Sequence, residues 1–138
     1  YGCMSNFKRS GDGYLVSYRD PNLSKTLEVF RNTPEFIRSF EADEREMTKY
    51  IIGTISELDT PMTPSSKGIL SLEAWFSHIT EEELKKERMQ ILNAQPGDIR
   101  ALGDVVACML DQNRICVIGS EEKIEQEKEL FLEVKHLL

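Results

Sequence analysis

The 138 residues amount to one ordinary domain or a part of a larger one, with 40% hydrophobic and 30% charged residues, enough for a packed core under a solvated surface. The formal net charge of −7, from 24 acids against 17 bases, argues against a nucleic-acid partner, because phosphate neutralisation needs clustered Lys and Arg. The apolar run Val105–Leu110 falls far short of the ~20 residues that span a bilayer, so no membrane partner is expected either.

In chain order, residues 1–9 and 13–19 read as a β-hairpin. Tyr14, Val16 and Tyr18 alternate with Leu15, Ser17 and Arg19, and Ser10-Gly11-Asp12-Gly13 supplies residues that tolerate positive φ. Asp20-Pro21-Asn22 stops the second strand. Leu23, Leu27 and Phe30 then repeat at helical spacing, and Pro34 is expected to break or restart that helix before Phe36, Ile37 and Phe40. Asp43 with Glu46 has the form of a capping box, followed by an apolar stripe of Met47, Tyr50, Ile51, Ile55 and Leu58.

A loop stiffened by Pro61 and Pro64 leads to a helix around 68–77, whose Trp75 and Phe76 read as core. Thr80 and Glu83 form a second capping box. Pro96 suits the first position of the next helix, with Ile99, Leu102, Val106 and Met109 on one face and Asn113 as a left-handed stop. Ile115-Cys116-Val117-Ile118 has the continuous apolar character of a buried strand, and Ser120 caps a last helix. The expected class is α+β: an antiparallel sheet made of the hairpin 1–19 and a strand near 114–119, packed against several helices. Three strands are few for so much helix, which suggests that further strands lie upstream of Tyr1.

The residues alone display no self-contained catalytic site. Only His78 and His136 occur, with no helical partner histidine and no HExxH or HxxEH, so no metal site is expected in this chain. The odd count of three cysteines suggests free thiols in a reducing compartment, with Cys108 and Cys116 explained by core packing. Gly11-Asp12-Gly13 is a hairpin turn rather than a nucleotide-binding fingerprint.

Several motifs taken together resemble the insulinase-like zinc metallopeptidases, in particular the presequence-protease branch. Tyr1-Gly2 matches the end of that branch's G-G-A-Y-G segment. Ser17–Asn22 matches its S-Y-R-D-P-N hairpin end, and Thr26-Leu27 with Phe30 matches the helix that follows. Leu58–Gly68 is similar to its S-x-x-D-x-P-x-x-P-x-x-K-G segment, and the later helices keep the family's order. The resemblance implies that residues 1–138 are the C-terminal portion of the last homologous domain of a larger peptidase, and a partial copy of the family's domain. It further implies an intact zinc endopeptidase that degrades unfolded peptides such as cleaved targeting sequences. The zinc would be held by an HxxEH half outside this chain, which alone would be inactive.

Within that resemblance Tyr1 aligns with a tyrosine that reaches the substrate near the scissile bond, paired with an arginine upstream. Its phenol could donate a hydrogen bond to a peptide carbonyl or oxyanion, and Gly2 would admit a substrate backbone. The plainer reading of Tyr1 is an edge-strand aromatic that caps the sheet. Ser17-Tyr18-Arg19-Asp20 is a second candidate, with Asp20 suited to ending the strand and capping the next helix. The implied partners are the remainder of the same polypeptide and peptide substrates. The implied compartment is intracellular: the cytoplasm in a bacterium, the mitochondrial matrix or a plastid in a eukaryote. The competing reading is a non-catalytic scaffold or partner-binding domain of insulinase-like fold.

Overall fold

A computed structural model describes residues 2–8 and 10–136. They form two strands and six α-helices in an α+β arrangement, divided into two compact units, Tyr1–Ser39 with Ala101–Leu138 and Phe40–Arg100.

In the first unit, β1 (Gly2–Phe7) and β2 (Gly13–Tyr18) pair antiparallel, with Gly2 opposite Tyr18 and Phe7 opposite Gly13. The turn closes through Lys8 N–H donating to the Asp12 carbonyl at 2.8 Å, and Gly11 adopts φ +89°, a conformation that a side chain would oppose. The hairpin meets α5 (Pro96–Asp111) at Gly13, where an added Cβ would lie 2.8 Å from Met109 Sδ.

Helix α1 (Ser24–Arg38) turns Leu23, Leu27, Phe30 and Ile37 inward to half-buried positions. The break expected at Pro34 does not occur, and the helix runs through it. Proline forfeits one intrahelical bond, but tertiary packing holds the turn. Pro34 is buried, and its carbonyl oxygen lies 2.9 Å from where a Cβ on Gly103 of α5 would stand. One turn later, Arg38 Nε and Nη2 donate to Asp104 Oδ1 at 3.1 and 2.9 Å. Val106 is the buried hydrophobic residue of α5, and Asn113, at φ 47°, follows the end of that helix as the expected left-handed stop.

The strand expected at 114–119 is the main correction to the sequence reading. Residues 113–120 form no ladder, and among the described residues the sheet has two strands. A strand is created by its neighbour's hydrogen bonds, and neither β1 nor β2 pairs with this segment. The alternation survives without the ladder: Ile115 and Val117 are half-buried while Cys116 and Ile118 face out. Cys108 and Cys116, expected in the core, are both exposed, as is Cys3. Helix α6 (Glu121–Gln126) and a 3-10 turn (Lys128–Leu130) follow. Ser120 occupies the cap position of α6 without a side-chain capping bond.

The second unit holds α2 (Glu44–Leu58), α3 (Pro64–Phe76) and α4 (Glu81–Leu92). Both capping boxes form. Asp43 Oδ1 accepts from Glu46 N–H at 2.8 Å, Thr80 Oγ1 accepts from Glu83 N–H at 3.2 Å, and the glutamates return bonds to the cap N–H groups. Met47 is buried, and Ile51 and Ile55 beside it are half-buried. Arg88 on α4 reaches Asp59, past the end of α2, with a two-pronged pair at 2.5 and 2.8 Å. Phe40 and Tyr50 approach with ring centres 5.9 Å apart.

Against expectation, Trp75 and Phe76 are not core: they pack edge to face on each other and stay 70% and 67% exposed. Ile69, Leu70 and Leu72 of the same helix are exposed too. The chain presents 11699 Å² of accessible surface. Two separate compact units of these lengths would together present roughly 8,900 Å², so the excess is not a matter of how the units are placed. It is surface that a self-sufficient fold of this size would have buried.

Candidate functional site

Of the two residues that the sequence singles out for substrate contact, Tyr1 lies outside the described residues. Gly2 opens β1 at the free end of the hairpin, opposite Tyr18. It is exposed, and a Cβ built on it would meet nothing within 4 Å.

Across the ladder lies the second candidate, and here a carboxylate gathers the chain. Asp20 Oδ2 accepts from Ser17 Oγ at 2.8 Å and from Thr26 Oγ1, while Oδ1 accepts from Asn22 N–H at 2.9 Å and from Asn22 Nδ2 at 3.3 Å. The Asn22 N–H bond is an Asx turn, the local use of Asp that competes with regular structure. These donors, Thr26 first, then the Asn22 backbone and Ser17, hold the carboxyl down from 3.8 to about 2. Between Tyr18 and Asp20, Arg19 stands at φ 57°, an uncommon conformation for a residue with a Cβ, with its guanidinium carbon 5.4 Å from the Tyr18 ring centre. The hairpin end is thus tied to the first turn of α1. That turn is held from another side by Glu127, whose Oε2 accepts from Ser24 N–H at 3.1 Å.

The sequence reading anticipated Asp20 as a strand terminator and helix cap; it stands where β2 ends, but the cap position of α1 is Leu23, which makes no side-chain capping bond, and Asp20 reaches the helix only through the Thr26 hydroxyl. It did not anticipate Glu127, which is distant in sequence and carries no local signal. The remaining titratable groups do not converge on a catalytic set. Among the described residues, no three of His, Cys, Asp and Glu stand close enough to hold a metal ion. His78 is exposed at φ 53°, and His136 Nδ1 lies 3.4 Å from Glu121 Oε1 beside an open depression of about 940 Å³ lined by Glu122, Glu125 and Lys128. These residues do not fit a zinc site, and no chemical step is assigned to a metal here. No helix among the described residues is long and apolar enough to cross a membrane.

Comparison with known proteins gives this geometry a context. Residues 1–121 match the family model described as the PreP C-terminal domain. The chain is 46% identical to Protein HypA of Clostridium perfringens over 138 residues, all of this chain and 14% of that protein. It is 34% identical to presequence protease 1, chloroplastic/mitochondrial, of Arabidopsis thaliana, covering 100% of this chain and 13% of the relative. The mitochondrial presequence protease of Aspergillus oryzae is 29% identical over 123 residues, covering 88% of this chain and 12% of that protein. The chain thus spans about a seventh of the length of these relatives. It belongs to the PreP C-terminal domain family, the C-terminal domain of presequence-protease-like proteins.

Proposed function

We propose that the whole polypeptide is a zinc-dependent endopeptidase of insulinase-like architecture that degrades unfolded peptides, cleaved targeting sequences among them. This chain would be the C-terminal portion of its last domain, a wall of the substrate chamber without activity of its own. The observation that carries the reading is the family match over residues 1–121, with relatives named presequence protease. Tyr1 is the substrate-orienting group: a phenol donates one strong hydrogen bond to a peptide carbonyl and a stronger one to the oxyanion that develops from it. Gly2 gives the substrate backbone access to the strand edge, which is supported by the open space around it.

Zinc would be bound by the half of the polypeptide outside this chain and would supply Lewis-acid activation of water. The remainder of the same polypeptide is also the partner proposed for the uncovered apolar surface, notably Ile69, Leu72 and Trp75 of α3. The names of the relatives support a mitochondrial or plastid location in a eukaryote, and the cytoplasm is the location proposed in a bacterium.

The test uses the full polypeptide and an unstructured fluorogenic peptide. Cleavage is expected, abolished by a zinc chelator and restored by stoichiometric zinc. Absence of cleavage, or cleavage indifferent to chelation, would overturn the reading in favour of a non-catalytic scaffold.

A further inference from the structure

The hairpin pair farthest from the turn is Gly2–Tyr18, next in the chain to residue 1. Immediately after Tyr18 the backbone enters the left-handed conformation of Arg19. Such conformations cost energy and persist only when the surroundings over-determine them. The surroundings here are Asp20 and its donors. They come from three pieces of the chain: Ser17 in β2, Asn22 in the connection and Thr26 in the first turn of α1. A charged acceptor makes stronger hydrogen bonds than a neutral one, and the same donors hold this carboxyl below its ordinary value, at about 2.

We infer that Asp20 is a positioning residue: by bonding Ser17, Asn22 and Thr26 it fixes Tyr18, through the ladder Gly2, and so the point from which the chain presents Tyr1 to a peptide substrate. The inference rests on the proposed role of Tyr1 and extends it to a residue that touches no substrate. Asp20 has no acid–base part in the reaction. Its effect is orientation, and a small misplacement of a reacting group is costly in rate.

A double-mutant cycle in the full-length, zinc-loaded polypeptide tests this. Asp20→Ala is expected to lower kcat about tenfold with little change in KM, whereas in a Tyr1→Phe background it should cost less than about twofold, because the group it positions has already lost its hydroxyl. Asp20→Asn, which keeps an acceptor for Asn22 N–H, should recover part of the loss. Should Asp20→Ala fail to fold, Thr26→Val removes a single donor and is expected to show the same non-additivity on a smaller scale. Equal losses in both backgrounds, a loss carried by KM alone, or no loss in the native background would overturn the inference while leaving Tyr1 in its role. A Tyr1→Phe variant with unchanged kcat would instead discard the tyrosine's role, and the positioning claim with it.

Discussion

Gly103 and Asp20 illustrate how single residues decide local geometry in this chain. Gly103 is buried where α5 crosses α1, and a Cβ there would stand 2.7 Å from Arg38 Cγ and 2.9 Å from the Pro34 carbonyl oxygen. The side chain can shift, but the carbonyl belongs to a helix and cannot move alone. Gly103→Ala gains helix propensity yet forces the two helices apart, and overpacking of this kind costs about 1–3 kcal/mol. Hydrogen exchange in the full polypeptide should show faster exchange in α1 and α5 and none of the change in α4. The bonds that Asp20 accepts carry a pH dependence. Its carboxyl is held at about 2 against an ordinary 3.8, so the folded state binds fewer protons than the unfolded one between those values. Its contribution is therefore complete above about pH 5 and is lost as pH falls through about 2. Protection of the start of α1 should fade over that range in the native sequence, and less so in Asp20→Asn, where the Glu127 carboxylate on Ser24 N–H still titrates. An identical acid profile in both would contradict the assignment.

Helix starts are the elements settled most locally. Thr80 and Glu83 bond each other's backbone N–H groups at the entry to α4, and Thr80→Ala should fray that turn at a cost of about 1 kcal/mol, read by exchange of the first α4 amides. Because such signals lie within four residues, both capping boxes, Pro96 at the start of α5, the Gly11 turn and the Asn113 stop were legible in the amino-acid order. The end of β2 at Asp20 was legible for the same reason, whereas its Asx turn was not read. Two other readings failed where distant residues decide. Pro34 carries a breaking signal, yet α1 continues through it because Gly103 and Asp104 pack and bond across from it. Ile115–Ile118 has the composition of a buried strand, but composition cannot supply the neighbour whose hydrogen bonds would make it one. Glu127 reaching Ser24 N–H belongs to the same class, with no trace in the local sequence.

At the scale of the molecule, the dominant fact is uncovered apolar surface. Among the described residues Met47 and Val106 are the buried large hydrophobics, whereas Trp75, Phe76, Phe36 and Ile118 are each more than 60% exposed. That surface, with a match to about a seventh of the relatives' length, is consistent with the proposal of a wall completed by other parts of a longer polypeptide. In the proposed function such a wall presents a phenol to the substrate at residue 1. Steady-state kinetics of Tyr1→Phe in the full-length polypeptide test it most directly. Losing one oxyanion donor should lower kcat/KM by about a hundredfold or more, with zinc content and circular dichroism unchanged. Turnover within about twofold of the native enzyme would contradict the account, because a hydroxyl that donates to the transition state cannot be removed without that cost.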